Sequence, residues 1–244
     1  MSDNGKYYGL KREDKRSDFF KSFPNSDKIT DKMLYIIDKK ISEIKPTEIL
    51  DLGTGNGFLI REVYKRNRDV LKSSKLIGID SSSQMIEIAK RLDKKSPIEF
   101  TIMDNNATNF PDSHFDLIIA KAVSNISVPE VYRILKNGGW FIYKEYGSGK
   151  GIVELMEIMK GKSSHSGNSI IKQMEEIDFS SFELRNYYIP LLKSIEEAHA
   201  VIDTMRILPK KTSHKDAHKN IDKYYDSDKS KVIHSDPYLI IGQK

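Results

Sequence analysis

The densest chemical signal in the chain is a run of glycines behind one acid, Asp51-Leu52-Gly53-Thr54-Gly55-Asn56-Gly57. Glycines at such spacing let the backbone turn tightly and let a ligand approach it closely. A dinucleotide fingerprint needs its third glycine three residues after the second, and that position is Phe58, so the match to G-x-G-x-x-G fails. Asp51 would repel a pyrophosphate but attract a cationic ammonium group. A ligand with an ammonium group and no phosphate would suit such a bend. Its rival is a tight strand-to-helix turn that binds nothing.

Two further acids follow at the ends of apolar runs. Asp80 closes Lys75–Asp80, where a carboxylate can accept from two ribose hydroxyls; the alternative is a surface acid capping the next helix, with Ser81 to Ser83 as rival caps. Asp104-Asn105 follows Ile98–Met103 and could accept from an adenine amino group, though an isolated Asp-Asn is ordinarily a turn. Lys121, Asn125, Glu145 and Tyr146 are general-base candidates near strand ends, none of them singled out as catalytic. His214 and His218, four apart, have metal-ligand spacing on one helix face. With no third ligand suggested they read as part of a solvated basic helix, and no metal is assigned. His114 and His199 read as structural or surface residues.

The elements that must position these residues come from periodicity. Met33, Leu34, Ile37, Ile41 and Ile44 form an amphipathic helix that stops before Pro46. Glu48–Leu52, Lys75–Asp80, Ile98–Met103, Phe115–Ala120 and Trp140–Tyr143 read as strands. Helices fall at 57–66, after Ser81–Ser83 through Leu92, and around Val131–Leu135, the last closed by Gly138-Gly139. Strands separated by helices of this length predict parallel βαβ units with helices on both faces, an α/β fold. Beyond Tyr146 the alternation weakens. Gly147–Gly151 reads as a joint, Ile152–Met159 as a helix, and Phe182–Leu192 as a sixth strand. Ser194 with Glu197 makes a capping box for a helix ended by Pro209; residues 210–231 are polar, and Pro237–Ile241 reads as a final strand.

Taken in order, Glu48–Gly57, Ile77–Met85 and Met103–Asn105 resemble the successive motifs of class I S-adenosylmethionine-dependent methyltransferases. Phe110–Ile118 is similar to the family's approach to its fourth strand, and Tyr132–Gly139 to its approach to the fifth, with Asn137 where proline is common. The likeness covers about residues 46–146 and points to the broad small-molecule branch that includes quinone-biosynthesis methyltransferases. It implies a doubly wound, Rossmann-like, mostly parallel seven-stranded sheet with an antiparallel last strand, supplied by Tyr238–Gly242. It implies S-adenosyl-L-methionine as cofactor. Asp51, Gly53, Thr54 and Gly55 would line its methionine half, Asp80 its ribose, and Ser81 and Met85 its ribose and adenine. Asp104 and the backbone of Asn105 would meet the adenine, and Ala120 and Lys121 would lie near the sulfonium. A cation beside S⁺ is unfavourable, so the Lys121 side chain is expected to point away.

Composition narrows the function classes. The 244 residues are 38% hydrophobic, enough for a real core. Cysteine is absent, which excludes disulfides, cysteine-held zinc, iron–sulfur clusters, radical S-adenosylmethionine chemistry and cysteine-adduct methylation of pyrimidines. Ala120-Lys121-Ala122-Val123 stands where exocyclic-amine methylases of nucleobases resemble one another in an Asp/Asn-Pro-Pro-aromatic motif. The net charge of +5, from 40 basic and 35 acidic residues of mixed order, suits a solvated surface as well as an RNA site. With no spanning run and no secretory signal, a cytoplasmic location is expected. The expected domains are an N-terminal helical segment (1–45), the cofactor-binding core (46–192), a helical insertion (193–236) and the last core strand (237–244). Residues 1–26 and the insertion are expected to form a lid over a small-molecule acceptor. RNA or protein methylation on the same core, and a nicotinamide-dependent oxidoreductase, are the alternatives.

Overall fold

Residues 28–123, 126–146, 153–159, 167–205 and 212–244 are described by the computed structural model. Helix α1 (Lys28–Ile44) turns Met33, Leu34, Ile37 and Ile41 of the predicted stripe inward, joined by Ile29, with Ile44 partly buried. Then come β1 (Glu48–Leu52), α2 (Phe58–Arg66), β2 (Lys75–Asp80), α3 (Ser83–Leu92), β3 (Ile98–Ile102), β4 (Phe115–Lys121), α4 (Val128–Ile134) and β5 (Leu135–Tyr146). After these lie α5 (Val153–Ile158), α6 (Gly167–Glu176), β6 (Ser181–Asn186), β7 (Ile189–Leu192), α7 (Ile195–Met205), α8 (His214–Asp226), β8 (Ile233–Ser235) and β9 (Pro237–Gln243).

Seven strands form one sheet in the order β3-β2-β1-β4-β5-β9-β6, with β9 antiparallel to both β5 and β6. The expected α/β class, the seven strands and the antiparallel last strand are all present. Alternation along the strands feeds two apolar layers. On one face Leu50, Leu52, Ile118, Phe141 and Tyr143 pack under α4 and α6. On the other Ile49, Leu76, Leu117, Ile119 and Ile142 pack under α1, α2 and α3. The strand order reverses between β1 and β4, and in open α/β sheets ligands bind outside the carboxyl ends of the strands at such a point.

Three elements differ from the sequence reading. The sixth strand ends at Asn186, not Leu192. β9 has no partner left for it beyond Tyr238, and after Tyr187 N–H donates to Pro237 O the chain crosses to pair as β7 with β8. Strand β5 begins at Leu135, so Gly138-Gly139 lie inside it instead of ending the preceding helix; Gly138 has φ 76° and donates its N–H to Lys244 O at 2.7 Å. Helix α6 has no counterpart in the sequence reading, and it buries Ile170 and Met174 on the sheet.

Strands β7 and β8, with α5, α7 and α8, enclose a third apolar cluster of Leu155, Met159, Leu191, Leu192, Ala198, Val201, Ile202, Ala217, Ile221, Tyr225 and Ile233. This unit therefore draws in residues on both sides of the 192/193 boundary expected from the sequence. The chain leaves β6 beside Tyr238 and returns at Pro237, which pairs with Tyr146 at the end of β5. The unit is thus rooted at the carboxyl edge of the parallel strands. Residues 1–26, Asn125, the Gly147–Gly151 joint and Pro209 lie outside the described residues.

Candidate active site

The loops after β1, β2, β3 and β4 meet around the glycine bend. Gly53, Gly55 and Gly57 all have positive φ, at 73°, 55° and 77°, conformations that L side chains rarely adopt. At Gly53 an added Cβ would lie 2.5 Å from Val123 Cγ2, beyond β4, and 3.3 Å from Asn105 Nδ2, beyond β3. At Gly55 the same test meets nothing within 4 Å. Gly53 is demanded by packing, whereas Gly55 presents bare backbone to open space. The bend is stitched to β2 by Thr54 N–H donating to Ile79 O (2.8 Å) and Gly55 N–H donating to Asp80 Oδ2 (2.9 Å).

Asp51 sits beneath the bend at 1% exposure, with Thr54 Oγ1 donating to its Oδ2 at 2.7 Å. Burial pushes its carboxyl up to about 6, against the opposing help of Thr54, Lys121 and the Ile60 backbone. A buried carboxylate with one side-chain donor is under-compensated, and a cationic partner would suit it. Asp80 accepts from Ser82 N–H through Oδ1 (2.8 Å) as well as from Gly55, so it ties the first two loops together. Ser82, not Ser81, is the N-cap of α3; Met85 is buried and Ser81 exposed.

Asp104 is exposed and its Oδ1 accepts from Asn106 N–H at 2.9 Å, the turn that was the rival reading. Asn105 enters differently from its expected role: its side chain, as well as its backbone, faces the site. Its Nδ2 borders Gly53, and its buried Oδ1 has no hydrogen-bond partner. Ala120 is wholly buried within β4 as part of the core.

The Lys121 Nζ lies 5.8 Å from the Phe58 ring centroid, and its charge acts to lower the pKa of both Asp51 and Glu145 against the effect of their burial.

Sequence reasoning missed Ala122, Tyr143 and Tyr238. Ala122 follows β4 with φ 57°, and its N–H donates to Lys144 O at 2.9 Å. A non-glycine residue in that region marks a backbone held by its surroundings. Tyr143 OH donates to Val123 O at 2.8 Å and stands 3.2 Å from Glu145 Oε2. Tyr238 packs edge-on to Tyr143, with ring centroids 6.1 Å apart. Burial raises the Glu145 carboxyl above its ordinary range. The signal available was the two-residue step Tyr143-x-Glu145, which puts both side chains on one face of a strand end. Among the general-base candidates, Lys121 and Glu145 share the edge, and Tyr146 OH accepts from Lys144 Nζ at 2.9 Å.

Residues 49–139 match the methyltransferase domain family. Over 111 residues the chain is 36% identical to a demethylmenaquinone methyltransferase of Thermotoga maritima, covering 43% of this chain and 46% of that one. Over 98 residues it is 31% identical to a ribosomal protein L11 methyltransferase of Dictyoglomus thermophilum, covering 39% of this chain and 31% of that one. The chain thus spans less than half the length of these relatives. In three dimensions it resembles the YcgJ protein of Bacillus subtilis, with a TM-score of 0.60 and 18% identity over 87% of this chain and 97% of that one.

Proposed function

We propose that this chain, whose residues 49–139 match the methyltransferase domain family, transfers the methyl group of S-adenosyl-L-methionine to a small-molecule acceptor. The observation that carries the cofactor reading is the buried Asp51 carboxylate beneath a glycine bend whose Gly55 faces open space. Asp51 would hold the cofactor's ammonium, Asp80 its ribose hydroxyls and the loop at Asp104-Asn105 its adenine. The buried Asn105 Oδ1, which has no hydrogen-bond partner, is a second uncompensated polar atom beside the bend. A pyrophosphate fits none of this, since the bend presents an acid where a phosphate would need N–H groups and cations. No feature favours the nicotinamide alternative.

When bound, the sulfonium supplies an electrophile that needs no further activation. The chain then has to align three atoms in line and exclude water, and such positioning is worth up to about 7–11 kcal/mol in the best cases. Tyr143 supports the alignment indirectly by holding the Val123 carbonyl, and with it the Val123 side chain against Gly53. Glu145, Tyr143 and Tyr238 face the end of β5, where an acceptor's polar group would find a carboxyl and phenols. The unit of α5, β7, α7, α8 and β8 is rooted at this edge, which supports a role in acceptor selection. Among the described residues no helix is long and apolar enough to cross a membrane.

Calorimetric titration with S-adenosylhomocysteine and with NAD⁺ tests the cofactor reading. Binding of the first and indifference to the second are expected; the reverse result overturns it. Release of S-adenosylhomocysteine from small phenol and amine acceptors, against RNA and peptide, tests the acceptor class.

A further inference from the structure

From the facing side chains of α7 and α8 we infer a transition-metal site, held by Asp203, His214 and His218 and backed by His199 and Asp222. The helical spacing of His214 and His218 brings both imidazoles to one face of α8, and the fold sets Asp203 of α7 opposite them. One ligand atom from each lies within 4.8 Å of the others. His218 Nε2 stands 3.0 Å from Asp203 Oδ1, and His214 Nδ1 stands 3.9 Å from the same oxygen.

Hydrogen-bond inventory argues for a cation here. His218 Nε2 faces Asp203, and His199 Nε2 faces Asp222 Oδ1 at 2.9 Å. The two Nδ1 atoms face each other within hydrogen-bonding distance, with ring planes 14° apart. A neutral imidazole carries one N–H and one lone pair. If both rings donate to their carboxylates, two lone pairs confront each other between them. An ion on His218 Nε2 removes the conflict: His218 Nδ1–H then donates to His199 Nδ1, and His199 Nε2–H donates to Asp222. Such a chain is the usual outer support of a metal-bound histidine, fixing its tautomer. A shared proton would also relieve the two Nδ1 atoms, but it gives His214 no part, and His214 is turned toward the same carboxylate.

Two imidazoles and one carboxylate suit zinc and its neighbours, whereas magnesium and calcium prefer oxygen. Ligand atoms on one zinc ion stand at most about 4 Å apart, given bonds of about 2.0–2.1 Å. His214 is 53% exposed, so a side-chain rotation closes the remaining gap. The site would clamp α7 to α8 within the unit at the acceptor edge, and it does not depend on the methyl-transfer reading.

The test uses the whole chain, stripped with a chelator and titrated with Zn²⁺ by calorimetry and Co²⁺ by visible absorption. One ion per chain is expected, with a raised melting temperature and no response to Mg²⁺. His214→Gln should weaken Zn²⁺ binding at least about tenfold, and His199→Phe, which keeps the ring shape, by roughly 10–100-fold. Lys219→Ala should change nothing. His214 contributes little packing, so its variant remains interpretable if His218→Gln misfolds. Absence of binding, or wild-type affinity in both His214→Gln and His199→Phe, overturns the site.

Discussion

Replacing Asp51 by asparagine should make the protein more stable and a poorer ligand binder at the same pH. The carboxyl is 1% exposed and burial holds it at about 6, whereas an unfolded aspartate titrates near 3.8. The native state therefore keeps a proton that the unfolded chain has lost between those two values. The Asp51 contribution to stability therefore falls as pH rises from about 4 to about 6 and is level above that. A rise of about two pH units, at about 1.4 kcal/mol each, makes the ionised carboxylate a burden of about 3 kcal/mol at neutral pH. The carboxamide of the Asp51→Asn variant would keep an oxygen for the Thr54 hydroxyl without the charge. Urea unfolding should therefore show the variant more stable by up to that amount at pH 7.5 and equal at pH 4. Binding moves the other way. Loss of a charge-assisted bond to the cofactor's ammonium should cost about 1.5–3 kcal/mol, roughly 10–150-fold in S-adenosylhomocysteine affinity. In the wild type only about one molecule in eleven is ionised at pH 5, so affinity should drop about tenfold between pH 7.5 and pH 5, and the variant should lack this limb. Calorimetry across that range reads both effects. Wild-type affinity in the variant at pH 7.5, or an identical pH profile, would refute the reasoning.

The other sites give sharper contrasts. Gly55→Val should abolish S-adenosylhomocysteine binding by filling the open space over the bend, while the left-handed backbone costs roughly 1–2 kcal/mol in urea melts. Lys121→Met should raise affinity for S-adenosylmethionine relative to S-adenosylhomocysteine, because only the former sets a cation near the ammonium; an unchanged ratio places Lys121 away from the sulfonium. Tyr143→Phe leaves the Val123 carbonyl short of its donor, and should lower stability by about 1–3 kcal/mol and kcat more than KM for the methyl donor. Arg133 holds Glu130 (2.7 Å), Asp112 (2.7 Å) and Phe110 O (2.8 Å), and keeps the Glu130 carboxyl at about 2. That support is present above about pH 4.5 and fades as pH falls toward 2, so Arg133→Ala should lose its penalty in acid, as pH-dependent unfolding will show.

The parallel half of the sheet was legible because its strands are short apolar runs, β1 closed by glycine and β2 and β3 by acids, with helical periodicity between them. Asp51 and Asp80 were legible for the same reason: chemistry at a strand end stays adjacent to the pattern that announces it. Asn105 was only half legible, since its side-chain contact with Gly53 depends on how two loops fold together. Asp203 was invisible beside His214 and His218 because nothing in local spacing pairs α7 with α8. The neighbours of Lys121 were not legible, since Phe58, Asp51 and Glu145 come from three separate stretches of chain. The long sixth strand fails on partner supply, for β-propensity persists through Leu192 where the sheet has no more strand to offer.

Strand β9 slots between β5 and β6, so the outermost strand can join the sheet only after the whole intervening unit has been made. That unit carries its own apolar cluster, and its early condensation would gather the two strand ends that flank it, reducing the entropy of closing so long a loop. The unit at the carboxyl edge would thus also aid assembly. Substitutions that loosen Ile221 or Tyr225 should delay completion of a sheet they never touch.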